Sequence, residues 1–180
     1  MKTYKVLDGD KSCNGGSYTW SLPTKNDDGT WMPGEWTEPV EGKLVACENG
    51  YHLARRQDLV HWLGPDIYEA EYSWEAVEAD DKIVVRSARL LRKIEAWNDK
   101  TARLFAAWCA REALKLIENP DPRSVAACDV AERYANGEAT DAELTAAGAA
   151  ARAAAWDAAR AAQTEKLFEM MGVEDENKAQ

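Results

Sequence analysis

The spacing of apolar residues along the chain changes near residue 90. Before this point, apolar residues occur in short runs that end at Gly or Pro, a pattern typical of strands and turns. Residues 67–74 alternate strictly, with Tyr68, Ala70 and Tyr72 on one side, which is the clearest strand signal. Strands are also predicted at residues 3–7, 17–22, 43–47 and 82–85. Residues 88–91 either continue the sheet or lead out of it. One short helix is predicted over residues 54–63.

A helical period begins at about residue 97. A first helix is expected over residues 98–118. A second helix starts after Asp121, a typical N-cap residue, with Pro122 in its first turn, and it ends before Gly137. The local signals at both ends make this second helix well specified.

The third predicted helix begins at a capping box formed by Thr140 and Glu143 and extends to about residue 171. Thirteen of the 22 residues from 141 to 162 are alanine. Alanine has the highest helix propensity and a small side chain, so this helix forms readily and lets a neighbouring backbone approach closely. We therefore expect a packing or spacer element, through which a homo-oligomer could also form.

Together these patterns predict an α+β fold. The expected architecture is a small, mainly antiparallel sheet with one short helix, followed by a three-helix C-terminal unit whose last helix is long and Ala-rich. The change of period places a β-rich module at residues 1–92 and a helical module at 93–172. A frayed acidic tail is expected at 173–180.

The composition indicates a folded, acidic protein. With 46% hydrophobic residues and eight tryptophans, the chain carries enough apolar surface to offset the entropy of ordering. The formal net charge of −10 argues against proteins that neutralise phosphates, because these need a positive field. Nucleic acid is therefore not an expected partner.

The charges form two adjacent blocks. Residues 66–81 hold seven acids and no base, whereas residues 86–115 hold eight bases against three acids. Either the two blocks are solvated or pair with each other, or one of them guides a charged partner. If they neutralise each other, the remaining negative surface lies mainly on the Trp-bearing segment from 24 to 41.

The cysteines and histidines do not predict a metal site. The four cysteines are far apart without a C-x-x-C pair, and His52 and His61 are nine residues apart. We expect free thiols, no metal and a cytoplasmic protein, since no apolar run has the length of a signal peptide or a membrane span. No membrane association is expected.

Common catalytic motifs are missing from the sequence. It contains no Walker A loop, G-x-G-x-x-G, G-x-S-x-G or H-E-x-x-H. This absence favours a non-catalytic protein, with enzymatic activity kept as the alternative. No cofactor is expected. His52 is the more interesting histidine, because a turn delivers Tyr51 and His52 at the start of a new element.

One resemblance is local. The order of a strand, Gly50-Tyr51-His52-Leu53, a short helix and a second strand resembles the segment that flanks the nicotinamide pocket in ADP-ribosyltransferase-type folds. The resemblance covers some 25 residues. It implies a transferase-like or nucleotide-binding site with Lys5, Tyr51, His52 and Glu71, or Glu78 in place of Glu71, as its catalytic residues.

A second resemblance covers most of the chain. The runs RLFAAWCAR at 103–111 and AERYANGEATDAEL at 131–144, with the Ala-rich repeats that follow, resemble the immunity-protein family of bacterial polymorphic toxin systems. The N-terminal half, with C-x-x-G-Y-H-L and A-R-L-L-R, resembles a module joined to such helices in actinobacterial and phage-encoded proteins. The resemblance implies a cytoplasmic, non-catalytic inhibitor or accessory factor of a phage or mobile element.

A protein partner is accordingly the leading expectation, and the resemblance implies a toxin or a host defence component. Aromatic side chains and acidic strand residues are the surfaces that we expect to contact it. The candidate partner-binding residues are Trp20, Trp31, Trp36, Glu69 and Glu71.

Overall fold

The computed structural model describes residues 2–73 and 75–171, and it confirms the α+β class. The chain clusters into two compact units, Met1–Asn98 and Asp99–Gln180. The apolar pattern places the boundary between the two predicted modules at residue 92. The chain stays hydrogen-bonded to the sheet beyond that residue, since Ile94 N–H donates to Ile67 O at 2.8 Å. The predicted acidic tail at 173–180 lies outside the described residues.

The N-terminal unit is built on antiparallel strands. In chain order these are β1 (Thr3–Asp8), β2 (Lys11–Ser12), β3 (Thr24–Lys25), β4 (Trp31–Met32), β5 (Tyr51–Arg55), β6 (Asp66–Tyr72), β7 (Ala76–Ala79), β8 (Lys82–Val85) and β9 (Ala88–Lys93). Within the described residues, seven strands form one sheet in the order β7-β8-β5-β1-β6-β9, with β2 paired to the end of β1, while β3 and β4 form a separate hairpin.

One face of this sheet carries the hydrophobic core. Side chains alternate across a strand, so every second residue of the central strands points to the same side. The fully buried Leu7 of β1, Leu53 of β5 and Leu90 of β9 lie at the centre of this face. Trp20, in the loop between β2 and β3, packs against them. The alternation predicted for residues 67–72 is confirmed, and Trp74 lies outside the described residues.

Two of the predicted strands are wrong. Residues 17–22 make only a bridge between Thr19 and Lys11, because Trp20 turns into the core instead of continuing a ladder. Residues 43–47 form a turn closed by Val45 N–H on Asn49 O at 2.9 Å. Both segments have β-prone composition, but a strand also needs a neighbouring strand edge that is free to pair.

The short helix predicted over residues 54–63 is present, but it is shorter than predicted. Ala54 and Arg55 belong to β5, where they pair with Tyr4 and Thr3 of β1. Only Leu59–Trp62 forms a helical element, a single 3-10 turn. Apolar residues at helical spacing over so short a segment do not distinguish a helix from a strand followed by a turn.

The C-terminal unit consists, within its described residues, of three helices, namely α1 (Asp99–Leu114), α2 (Pro122–Ala135) and α3 (Asp141–Met171). The predicted caps are confirmed. The Asp121 carboxylate accepts from Arg123 N–H at 2.8 Å, and Thr140 and Glu143 bond to each other's backbone N–H groups at 3.2 and 2.8 Å. Helix α1 ends at Leu114, four residues before the predicted end.

Candidate functional site

A cleft opens in the N-terminal unit where β1 and β5 separate. The ladder between these strands consists of the pairs Thr3 with Arg55 and Tyr4 with Ala54, and the strands diverge beyond it. The opening has a volume of about 360 Å³, which is in the size range of small-molecule sites. The lining includes Lys5, Ser12, Gly15, His52, Trp62 and Lys82.

Lys5 lies buried at this divergence. Its Nζ donates to Ser12 Oγ at 2.8 Å and to the carbonyl oxygen of His52 at 3.2 Å, and it lies 5.0 Å from the centroid of the Trp20 ring. The residue is 8% exposed, and it forms no ion pair with a carboxylate of the described residues. Burial lowers the pKa of Lys5 to about 8, and the nearby Cys13 opposes this shift only in part.

His52 supports the rim of the cleft. Its Nε2 accepts a hydrogen bond from the backbone N–H of Cys47 at 2.9 Å, so the neutral ring carries its proton on Nδ1. Burial, followed by the positive charges of Lys5 and Lys82, lowers the pKa of His52. Because the bond is to the backbone of Cys47, it fixes a turn in which that residue has a left-handed φ of 65°.

The four residues of the transferase-like hypothesis do not all meet at this cleft. Lys5 and His52 line it, but Tyr51 points to the core face of β5, where it packs against Tyr18 and Trp20. Glu71 lies on β6 and pairs with an arginine of β9, outside the lining. The alternation of a strand separates Tyr51 from His52, which the prediction of a turn at residues 50–52 did not take into account.

The acidic and basic blocks pair with each other across β6 and β9. Glu69 Oε1 lies 2.7 Å from Arg92 and 3.4 Å from Lys2, and Glu71 binds Arg89. Hydrogen bonds from Arg92 and Lys2 lower the pKa of Glu69. These two candidate partner-binding acids are therefore engaged within the sheet. Further pairs of the same blocks are Asp66 with Lys93 and Glu75 with Arg86.

The three candidate tryptophans occupy different environments. Trp20 is buried in the core, Trp31 is half-buried with Lys25 Nζ 5.8 Å from its ring centroid, and Trp36 is 41% exposed. The guanidinium of Arg89 lies 5.0 Å from the centroid of Trp36. Trp31 and Trp36 belong to residues 24–41, which we call the Trp loop.

The Trp loop is anchored along the outer edge of β9. Hydrogen bonds at 2.9 to 3.0 Å join the N–H groups of Gly34, Thr37 and Val40 to the carbonyl oxygens of Leu90, Ala88 and Arg86, respectively. The buried Ser87 hydroxyl donates to Thr37 O at 2.7 Å. Gly34 is essential to this path, because a Cβ there would lie 2.0 Å from Ser21 O. The exposed side chains are thus carried on a fixed backbone.

The exposed surface of the Trp loop is apolar and acidic. Met32 is 58% exposed, and Leu22, whose backbone lies against Gly34, is 40% exposed. None of the loop's five carboxylates forms an ion pair with a described residue, whereas its one base, Lys25, pairs with Glu95 at 2.6 Å. These five acids are Asp27, Asp28, Glu35, Glu38 and Glu41.

A buried polar network beside the cleft was not predicted. Arg55 binds the Asp58 carboxylate, lies 3.1 Å from Glu78, and donates to the carbonyl oxygens of Ala79 and Asp80 at 2.8 and 3.0 Å. Its hydrogen bond lowers the pKa of Asp58. The spacing R-x-x-D at 55–58 is visible in the sequence. Its importance depends on the burial of the Arg55 and Asp58 side chains, which follows only from the fold.

No metal centre is formed by the parts of the chain that the structure describes, because no three potential ligands cluster there. Within the same residues, every helix is too short or too polar to cross a bilayer. The chain matches no protein-family model, no curated protein and no solved structure.

Proposed function

We propose that the protein is a non-catalytic binding protein that docks onto a basic protein surface through its Trp loop. One observation carries this proposal: exposed large apolar side chains lie together, on one anchored segment, with carboxylates that form no ion pair with any described residue. Exposed tryptophan and methionine are typical of protein interfaces, and complementary charge favours association with the right partner.

The ion pairs of the sheet support the same location for the interface. The acids of β6 are already paired with the bases of β9, so they attract a partner weakly. The acids of the Trp loop have no such internal partners among the described residues. A cationic partner would therefore be attracted more strongly to the acids of the Trp loop than to those of β6.

Trp36 is the anchor of the proposed interface. Its ring is exposed on one side and rests on the Arg89 guanidinium, which Glu71 holds in place. A tryptophan held in position in the unbound protein loses little conformational entropy on binding, and buried Trp side chains dominate many interfaces. The resemblance to immunity proteins makes a toxin or a host defence component of a phage or mobile-element system the first partners to test.

Reversing the charge of the loop tests this proposal. The double variant Glu35→Lys/Glu38→Lys should fail to retain a basic protein that the unaltered chain captures from a bacterial lysate at low salt. The matched control Glu118→Lys/Glu138→Lys changes the net charge equally at two exposed positions of the helical unit and should capture normally. Equal capture by both double variants would contradict the proposal.

A further inference from the structure

The buried ammonium of Lys5 has no counter-ion among the residues that the structure describes. Its hydrogen-bond partners are a hydroxyl and a carbonyl oxygen, both neutral, and its third neighbour is an indole ring. Burying a charge without a compensating charge is costly, so such groups are usually paired. The acidic group that acts on the charge of Lys5 is the Cys13 thiol, and burial raises the pKa of that thiol, which disfavours its ionised form.

Lys5 belongs to the lining of an opening of about 360 Å³, and both hydrogen-bond partners of its ammonium, Ser12 and His52, line the same opening. Ser12 at the end of β2 and Asn14, Gly15 and Gly16 of the loop that follows also line the opening. These glycines have φ of 86° and 94°, and a Cβ at either position would meet no atom within 4 Å. Ammonium, hydroxyl and amide groups are the donors with which proteins bind carboxylates and phosphates.

The other walls of the cleft are apolar. Val6 and Ala54 are buried on the sheet face that borders the opening, and the Trp62 indole closes one side with Lys82 Nζ 4.5 Å from its centroid. Apolar walls with a few placed polar groups are typical of sites for small organic molecules. The bound molecule should therefore have an apolar part beside its charged group.

From these observations we propose that the cleft between β1 and β5 binds a small, partly apolar molecule through a carboxylate or phosphate group, with the Lys5 ammonium as its counter-ion. This site is independent of the Trp loop, so either proposal can fail without the other. The mouth of the cleft adds little net charge, because Lys82 pairs with Asp81 at 3.3 Å and the Glu48 carboxylate is exposed.

Calorimetric titration with four anions and one neutral compound tests the site. Benzoate and phenyl phosphate carry the apolar part, acetate and inorganic phosphate lack it, and benzyl alcohol lacks the charge. We expect either benzoate or phenyl phosphate to bind at least about tenfold more tightly than its small counterpart, and benzyl alcohol not to compete. The preferred pair identifies the oxyanion, whereas absence of heat with all four anions at millimolar concentration would overturn the proposal.

The variant Lys5→Met assigns the contact. Methionine is close to the lysine stem in length and removes only the charged end, so binding should weaken about tenfold or more. Lys93→Met is the matched control, because Lys93 lies outside the lining of the cleft and its ammonium is paired with Asp66 at 2.5 Å, and it should change affinity by less than about threefold. Equal affinities of Lys5→Met and the unaltered protein would contradict the assignment.

A measurement on the unaltered chain keeps the proposal testable if Lys5→Met does not fold. Carbon-13 labelling of lysine allows the Lys5 titration to be followed by NMR with and without the bound anion. The titratable and charged groups around Lys5 are Tyr68 of β6, which is its cross-strand neighbour, His52 of β5, Cys13 of the loop after β2 and, in the remaining lining of the cleft, Lys82 and Glu48. We expect the bound anion to raise the pKa of Lys5 above about 8 and affinity to fall above that pH, and an unchanged titration at saturating anion would overturn the proposal.

Discussion

At the scale of single residues, cationic side chains over indole rings recur in the N-terminal unit. Lys5 lies over Trp20, Lys82 over Trp62 and Arg89 over Trp36. An aromatic face offers a cation partial compensation, but it does not replace a carboxylate. Arg89 and Lys82 have carboxylate partners as well, and the buried Lys5 has none among the described residues.

The stability of the fold should reflect this burial of Lys5. Since folding lowers the pKa of Lys5 from 10.5 to about 8, the unfolded chain binds more protons between these pH values. Stability should then rise with pH across that window, by at most about 3 kcal/mol. The measurement is the free energy of unfolding in urea for the unaltered chain minus that for Lys5→Met, since other titrating groups cancel in the difference. A difference that is flat from pH 7 to 10.5 would contradict a buried ammonium.

Arg55 and Asp58 form the other buried charged pair beside the cleft. Asp58→Ala leaves the Arg55 guanidinium buried without its closest acceptor, and we expect the unfolding temperature to fall by more than about 5 °C. Asp80→Ala, at an exposed side chain, should change it little. The lowered pKa of Asp58 means that its contribution is complete above the ordinary aspartate range and is lost as the pH falls through the lowered value. Similar unfolding temperatures for both variants would show that the pair is unimportant.

At the scale of elements, the helices could be predicted from the sequence more accurately than the strands. The caps at Asp121 and Thr140 act on residues two or three positions away, so a short sequence segment contains the whole signal. A strand depends on a distant partner, and neither residues 17–22 nor residues 43–47 find one. Strand β7 (Ala76–Ala79) was not predicted, because its four residues acquire a ladder only from β8.

The cleft could be predicted only in part for the same reason. Lys5 and His52 were identified as candidates, but their meeting depends on where β1 and β5 stop pairing. Gly15 and Gly16 stand out in the sequence only as a turn. Tyr51 follows Gly50 and precedes His52, yet the pleat of β5 places its side chain on the core face.

The attachment of the Trp loop to β9 can be tested at Gly34. In Gly34→Ala the new methyl group would lie 2.0 Å from Ser21 O, so the loop must move, and we expect a loss of about 1 to 3 kcal/mol in the free energy of unfolding. Gly148→Ala in α3 is a control with the opposite sign, because its methyl group meets only ordinary contacts and alanine favours a helix by about 0.5 to 1 kcal/mol. Urea unfolding measures both. An unaffected Gly34→Ala would show that the loop is not held as described.

At the scale of the whole molecule, many charged side chains are paired inside the unit to which they belong. Most described arginines pair with acids inside their own unit, as Arg92 does with Glu69 in the sheet and Arg111 with Glu132 between α1 and α2. The Trp loop differs, because its five acids have no ion-pair partner among the described residues. Five acids that no described base neutralises therefore lie on the same segment as the exposed Trp36 and Met32.

The affinity of Trp36→Ala for the captured partner is the most direct test of this account. Trp156 of α3 is 72% exposed, so Trp156→Ala is a control for the loss of an exposed indole. We predict that Trp36→Ala loses at least about 2 kcal/mol of binding free energy, or about thirtyfold in Kd, while Trp156→Ala binds like the unaltered chain. Equal affinity of the two variants, or a larger loss for Trp156→Ala, would contradict the assignment of the interface to the Trp loop.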